Sequence, residues 1–164
     1  MTANASLVSP QSGGQARARG LGWLPWTALA LSVLGLLDSG YQVYTHFTGT
    51  GLAGCGAKTD ACVLDQSSVY AWVFGIPVAV YGVAFFAFMT VVCLPVSWRS
   101  RFQFVHWSRL AAVIIGMIFV LYLLYRELIS LGHICPYCTS VHVITFLLFA
   151  LVIYNASSRL AAPR

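Results

Sequence analysis

CPYCTSVHVITFLLFALVIY, residues 135–154, decides how this chain folds. Two cysteines bracket a Pro-Tyr pair, and from Pro136 to Tyr154 the residues are almost all apolar or small. Crossing about 30 Å of hydrocarbon takes roughly 20 helical residues. Backbone groups in lipid must also pair within their own segment or in a closed barrel. A continuous apolar run of this length therefore predicts a transmembrane helix. Working back toward the N-terminus, three more such runs appear: about Leu110 to Leu131, about Phe74 to Val96, and about Leu21 to Phe47.

Composition agrees. Of 164 residues, 59% are hydrophobic and 8% charged, whereas soluble domains carry about 25% charged residues. So little charge cannot cover a water-exposed surface. The expected fold is an all-α membrane protein, a four-transmembrane-helix domain over residues 21–157. Residues 1–20 read as a disordered cytoplasmic tail and 158–164 as a short cytoplasmic C-terminal tail. Arg17 and Arg19 before the first run, with Ala28-Leu29-Ala30 inside it, resemble a secretory signal. The apolar stretch continues well past that point, so the span is expected to be retained. The net charge of +5 is spread over segment ends. It forms no clustered basic face, and no nucleic-acid partner is expected.

Sidedness follows from the basic residues. Arg17, Arg19, Arg99, Arg101, Arg109, Arg159 and Arg164 lie on one side of the four runs, against Lys58 and Arg126 on the other. Both termini are thus placed in the cytoplasm, and the first and third loops outside. The Asn-Ala-Ser sequons at Asn4 and Asn155 fall on the inner side and read as chance matches.

The first outer loop, about residues 48–73, holds Cys55 and Cys62, and the third ends in Cys135-Pro136-Tyr137-Cys138. Four cysteines thus share the outer face, where disulfides form and persist. Cys93, near the cytoplasmic end of the second run, reads as a small packing residue. The four could be static staples, but a Cys-x-x-Cys ring at a helix start is so small that closing it removes little chain entropy. Its position favours reactivity instead, since the helix dipole and the motif itself stabilise a thiolate. Pro136 at the first helical position costs no hydrogen bond. A zinc site fits poorly, because structural zinc pairs have two to four residues between partners and Cys55 and Cys62 have six. A glutaredoxin would need strands before its CPYC, and the flanks here are apolar on both sides. No metal is expected.

Taken together, Cys55 and Cys62, then Ser67-Ser68, then Trp72-Val73-Phe74-Gly75-Ile76-Pro77, then CPYC at the last helix, resemble the vitamin K epoxide reductase family. The bacterial branch is the nearer likeness, over about residues 22–157. That resemblance implies a four-helix bundle around a quinone pocket, in a thiol oxidase without a fused thioredoxin domain. Cys55 and Cys62 would be the mobile shuttle pair, with Cys55 meeting a separate periplasmic thioredoxin-fold (DsbA-like) protein. Cys62 would pass electrons to Cys135, and Cys138 would face the quinone, menaquinone or ubiquinone. Ser68, Phe74 and His142 would stand near that quinone. Vertebrate members carry a longer segment with a substrate-contacting Asn before the Phe-Gly pair, and a Tyr at the position of His142. The resemblance therefore implies a respiratory quinone as acceptor rather than vitamin K epoxide.

The expectation is a multi-pass enzyme of the plasma (inner) membrane, oxidising thiols on its extracytoplasmic face. Two alternatives stay open: a vitamin K epoxide or quinone reductase proper, and a non-catalytic tetraspan with structural disulfides. Asp38 and Arg126 have no firm role. Ser68 also reads as a helix cap, and His142 as a buried histidine bonded to a neighbouring helix.

Overall fold

A computed structural model describes residues 22–53, 72–99, 103–131 and 135–160. Helix α1 spans Leu24–Thr48, with a proline in its first turn and Gly49 at its end in the left-handed region (φ 67°). Both are expected terminators, since proline fits where no N–H is needed and glycine takes positive φ at a helix end. Strands β1 (Trp72–Val73) and β2 (Ile76–Pro77) then form a small antiparallel hairpin. Helix α2 covers Val78–Val92, α3 Pro95–Arg99 and α4 Gln103–Tyr125. A π-helical segment, Arg126–Leu131, continues α4, and α5 runs Pro136–Leu160.

The chain is wound inside out relative to a water-soluble bundle. The buried face of α1 is Leu24, Ala28, Ser32, Gly35, Ser39, Gln42 and Thr45, a helical stripe that is mostly small or polar. Its outer face shows Leu34 and Leu37, more than half exposed. Helix α4 repeats the pattern, with Gly116 buried and Ile115 and Ile118 outside. Where the surroundings are lipid, apolar surface gains nothing by turning inward, and small residues let helices approach closely. Two helices among the described residues are long and apolar enough to cross a bilayer: Gln103–Ile129 and Pro136–Ser158. The other two expected spans are less apolar or shorter. Helix α1 carries Asp38 and Gln42 within its length, and α2 is 15 residues.

Helix α1 packs between α2 and α5, α4 lies along α5, and α4 also touches α2 to close the ring. Two phenylalanines of α2 lock into glycine notches on either side. Phe86 lies directly on Gly35 of α1. A Cβ on Gly116 of α4 would stand 2.7 Å from the Phe85 ring. Phe86 and Met89 join Leu24, Ala28, Val113, Leu148 and Val152 in the main core, together with Cys93 and Trp98. The bland expectation for Cys93, a packing residue, matches this place.

Helix α2 ends at Val92 rather than near Val96, α5 continues to Leu160 rather than stopping near Tyr154, and two helix starts also differ from expectation. The second helix does not begin at Phe74. Phe74 (φ 51°) and Gly75 (φ 77°) both take positive φ, the signature of a type I′ turn. The strand residues pair Val73 with Ile76 and Trp72 with Pro77, so the helix starts only at Val78. The third helix begins at Gln103 rather than near Leu110, which moves Arg109 out of the expected loop and into the core, 1% exposed. Its guanidinium donates to the Val92 carbonyl at the end of α2 and stacks over the Trp98 ring, 4.2 Å from the centroid. Trp98 Nε1 in turn donates to the Cys93 carbonyl at 3.2 Å. Terminal carbonyls that the helix cannot satisfy are thus met by side chains.

Candidate active site

Helix α5 begins one residue after Cys135 and carries Cys138 in its first turn. The Cys135 carbonyl is held by the N–H and the hydroxyl of Thr139, each at 2.9 Å. Cys135 is buried, packed against Leu52 with Tyr41, Tyr137 and Cys138 around it. Leu52 belongs to the stretch leading into the first cysteine loop, and its neighbour Ala53 is clamped. The Tyr41 hydroxyl accepts from the Ala53 N–H (3.0 Å), and the Tyr137 hydroxyl donates to the Ala53 carbonyl (2.6 Å). The two rings also lie tilted against each other, centroids 5.8 Å apart. Tyr137 thus anchors the chain two residues ahead of Cys55.

From the α1 side, Gln42 reaches across to the motif. Its amide nitrogen is shared between the Tyr137 carbonyl (3.4 Å) and Asp38 Oδ1 (3.5 Å). That orientation directs Oε1 toward Cys138 Sγ at 3.9 Å. The second Asp38 oxygen accepts from the Ser140 hydroxyl. Asp38, without a role on sequence grounds, is the pivot that fixes Gln42 and the first turn of α5.

From the α4 side comes Glu127, 4% exposed. One carboxylate oxygen accepts from the Cys135 N–H at 2.6 Å, and the other lies 3.9 Å from His142 Nδ1. The second distance is too long for a hydrogen bond and suits an ion pair when the imidazole is protonated. Single-turn π segments are frequent at functional sites. Here the π segment Arg126–Leu131 carries Glu127, on the face that meets Cys135 and His142.

Below the motif a cavity of about 300 Å³ opens between α1, α2, α4 and α5. Its wall is largely apolar, with Phe85, Phe86, Phe119 and Val120, and its polar lining includes Gln42, Cys138, His142, Glu127 and Arg126. Ligand sites typically have this form, an apolar slot with a few convergent polar groups. The volume suits a single aromatic or quinone ring, and the fit is chemical as well as spatial. Among the described residues, no group of three or more His, Cys, Asp or Glu could hold a metal ion.

The structure thus brings together Cys135, Cys138 and His142 from the expected set. Phe74 is placed apart, 95% exposed at the tip of the hairpin turn and off the cavity wall. Cys55, Cys62 and Ser68 lie outside the described residues. His142 is buried and lines the cavity, with Glu127 of the neighbouring helix 3.9 Å away. Arg126 lies over the Tyr122 ring (5.8 Å) and also lines the cavity. Sequence reasoning missed Gln42 and Glu127 as site residues. Asp38, Gln42 and His46 recur every fourth residue in an apolar segment, a pattern that marks an inward polar face. Glu127, beside Arg126 at a helix end, gives no such signal.

The sequence profile of the vitamin K epoxide reductase family matches residues 26–153. The chain belongs to the vitamin K epoxide reductase family. No curated protein is matched by the sequence. The family comprises membrane-helical oxidoreductases acting on disulfides and quinones.

Proposed function

We propose that this family member is a thiol oxidase of the plasma membrane that passes electrons from a thioredoxin-fold protein to a quinone, with its redox cysteines on the extracytoplasmic face. The single observation that carries the reading is the position of the CPYC pair. Cys138 lines the apolar cavity, whereas Cys135 lies under the docked start of the first cysteine loop. One cysteine thus faces an apolar acceptor and the other faces a protein route.

In this reading all four helices span the bilayer, with both termini in the cytoplasm. Residues 1–20 and 158–164 flank the catalytic domain, and the loop 48–73 carries the shuttle pair. A reduced partner protein transfers two electrons to the Cys55–Cys62 disulfide. Cys62 thiolate then attacks Cys135, opening the Cys135–Cys138 disulfide and releasing Cys138 as the thiolate; Cys55 resolves the mixed disulfide. Such exchanges proceed by thiolate attack on a sulfur. A quinone, when bound, supplies an acceptor for two electrons and two protons. Gln42 orients Cys138 toward the cavity, and His142 is the donor nearest the acceptor. Ser68 would contribute a hydroxyl near the redox centre.

The test is direct. The purified chain, given a reduced thioredoxin-fold protein and a short-chain ubiquinone or menaquinone, should reduce the quinone with formation of one disulfide per quinol. Cys138→Ala should bring the rate to background; an unchanged rate would overturn the route. Conversion of vitamin K epoxide under the same conditions, with no reduction of quinone, would favour the epoxide reductase reading instead.

A further inference from the structure

Oxidation of the reduced Cys135–Cys138 pair by a quinone moves more than electrons. Two S–H bonds are lost, one S–S bond forms, and the quinone oxygens gain two electrons and two protons. Cys138 lines the cavity and can deliver its own proton there. Cys135 is buried outside it, so its proton needs a carrier.

We propose that Glu127 is that carrier, taking the proton of the Cys135 thiol and returning it through His142 to the acceptor oxygen in the cavity. The inference rests on the quinone-reducing reading given above. Three features converge on it. The carboxylate is seated on the Cys135 N–H at 2.6 Å, and the thiol sulfur of that residue is three covalent bonds from the same nitrogen. The other carboxylate oxygen faces His142 Nδ1 at 3.9 Å. Both Glu127 and His142 line the cavity that Cys138 lines. A buried carboxylate that merely accepted one backbone N–H would be a costly way to satisfy it, since a neutral amide or a water serves as well. Its second face, toward an imidazole at the acceptor site, is what a proton route requires. Geometry comes before acidity in such an assignment, and here one carboxylate lies between the Cys135 backbone, to which it is hydrogen-bonded, and the His142 imidazole, 3.9 Å away.

Glu127→Gln separates the roles, because glutamine still accepts the Cys135 N–H through its carbonyl oxygen but carries no proton. Glu127→Ala removes both functions. The full-length protein in detergent is reduced with dithiothreitol, freed of it, and mixed anaerobically with ubiquinone bearing one isoprenoid unit. Quinone absorbance reports the second half-reaction. Thiol alkylation during the dithiothreitol step, without quinone, reports the first, and quinone affinity is measured by quenching of tryptophan fluorescence.

Both variants should slow the quinone step about a hundredfold or more, the usual range for one acid–base group. Glu127→Gln should leave the first half-reaction as in the unaltered protein, and its quinone step should stay slow at quinone concentrations that saturate it. Adding His142→Gln to Glu127→Gln should cost little more, because the two act in series. A Glu127→Gln rate equal to that of the unaltered protein, with only Glu127→Ala impaired, overturns the proposal in favour of a structural acceptor. Equal slowing of both half-reactions overturns it too. Should Glu127→Ala fail to accumulate, Glu127→Gln and His142→Gln decide alone. If the unaltered protein exchanges with dithiothreitol but never reduces the quinone, the underlying quinone reading falls, and the carrier with it.

Discussion

The two ends of the bundle hold the same ingredients and put them to different use. At one end, Cys135 and Cys138 sit at the start of α5 beside a buried Glu127; at the other, Cys93 sits at the finish of α2 beside a buried Arg109. Around Cys93 the space is filled: Trp98, Arg109 and the core residues close on it, and the two side chains spend their donors on the last carbonyls of α2. Around Cys138 the space is open to a cavity, and the polar groups line its wall. A cysteine beside a buried charge is therefore not a redox centre by itself. In the proposed function, a second cysteine one turn away and room for an acceptor make it one.

The comparison breaks most sharply with cysteine replacement. Cys138→Ala should reduce quinone turnover by at least about a hundredfold, the scale expected when a reacting nucleophile is lost. Cys93→Ala should keep turnover within twofold. Equal losses in the two assays would erase the distinction between the ends.

The next effect is on stability. Arg109→Met leaves the Val92 carbonyl without its donors, and removing a partner from a buried acceptor costs about 1–3 kcal/mol. Thermal unfolding in detergent should show a clear drop in Tm, with turnover per folded molecule preserved. If turnover falls while Tm holds, the inner end is part of the chemistry after all.

Glycine notches sharpen the contrast further. Gly116→Ala pushes a methyl into the Phe85 ring, 2.7 Å from the new Cβ, and both residues line the cavity. Overpacking of this kind costs about 1–3 kcal/mol, and the quinone KM should rise several-fold. Gly35→Ala drives into Phe86, which belongs to the main core and also lines the cavity. Its cost should appear in Tm as well as in KM, with the larger share in Tm, which a side-by-side measurement of the two checks.

The smallest effect is expected outside both ends. Phe74→Gly relieves a positive φ that costs a non-glycine residue about 1–2 kcal/mol, so Tm should rise slightly. Turnover should be unchanged, since the ring stands off the cavity wall. A fall in quinone affinity would restore Phe74 to the role the family resemblance gave it.

Much of this was legible in the sequence, for identifiable reasons. A helix in lipid must satisfy its own backbone, so the apolar run after Cys135 announced α5 to the residue at which it starts. Cys-x-x-Cys at a helix start is a local signature, and a His one turn beyond Cys138 lies on the same helical face by the 3.6-residue period. The site's supporting residues were harder. Asp38 and Gln42 were visible as polar residues in an apolar segment, but not as the arm that holds Cys138. Phe74-Gly75 was read as a helix start because apolar periodicity cannot report a turn whose evidence is two positive φ angles.

What the sequence determined by itself is the family, the helical architecture and the two cysteine pairs with their different spacings. Each of these depends on hydrophobic length and local motif. Only the tertiary structure decided that Glu127 turns inward while Arg109 caps α2, and that Cys138 opens on a cavity while Cys93 is packed shut. Those outcomes depend on which residues of other helices arrive opposite each position, and on a π segment that shifts the facing of α4 where it meets α5. Contacts between helices far apart in the chain leave no periodic trace along any one of them.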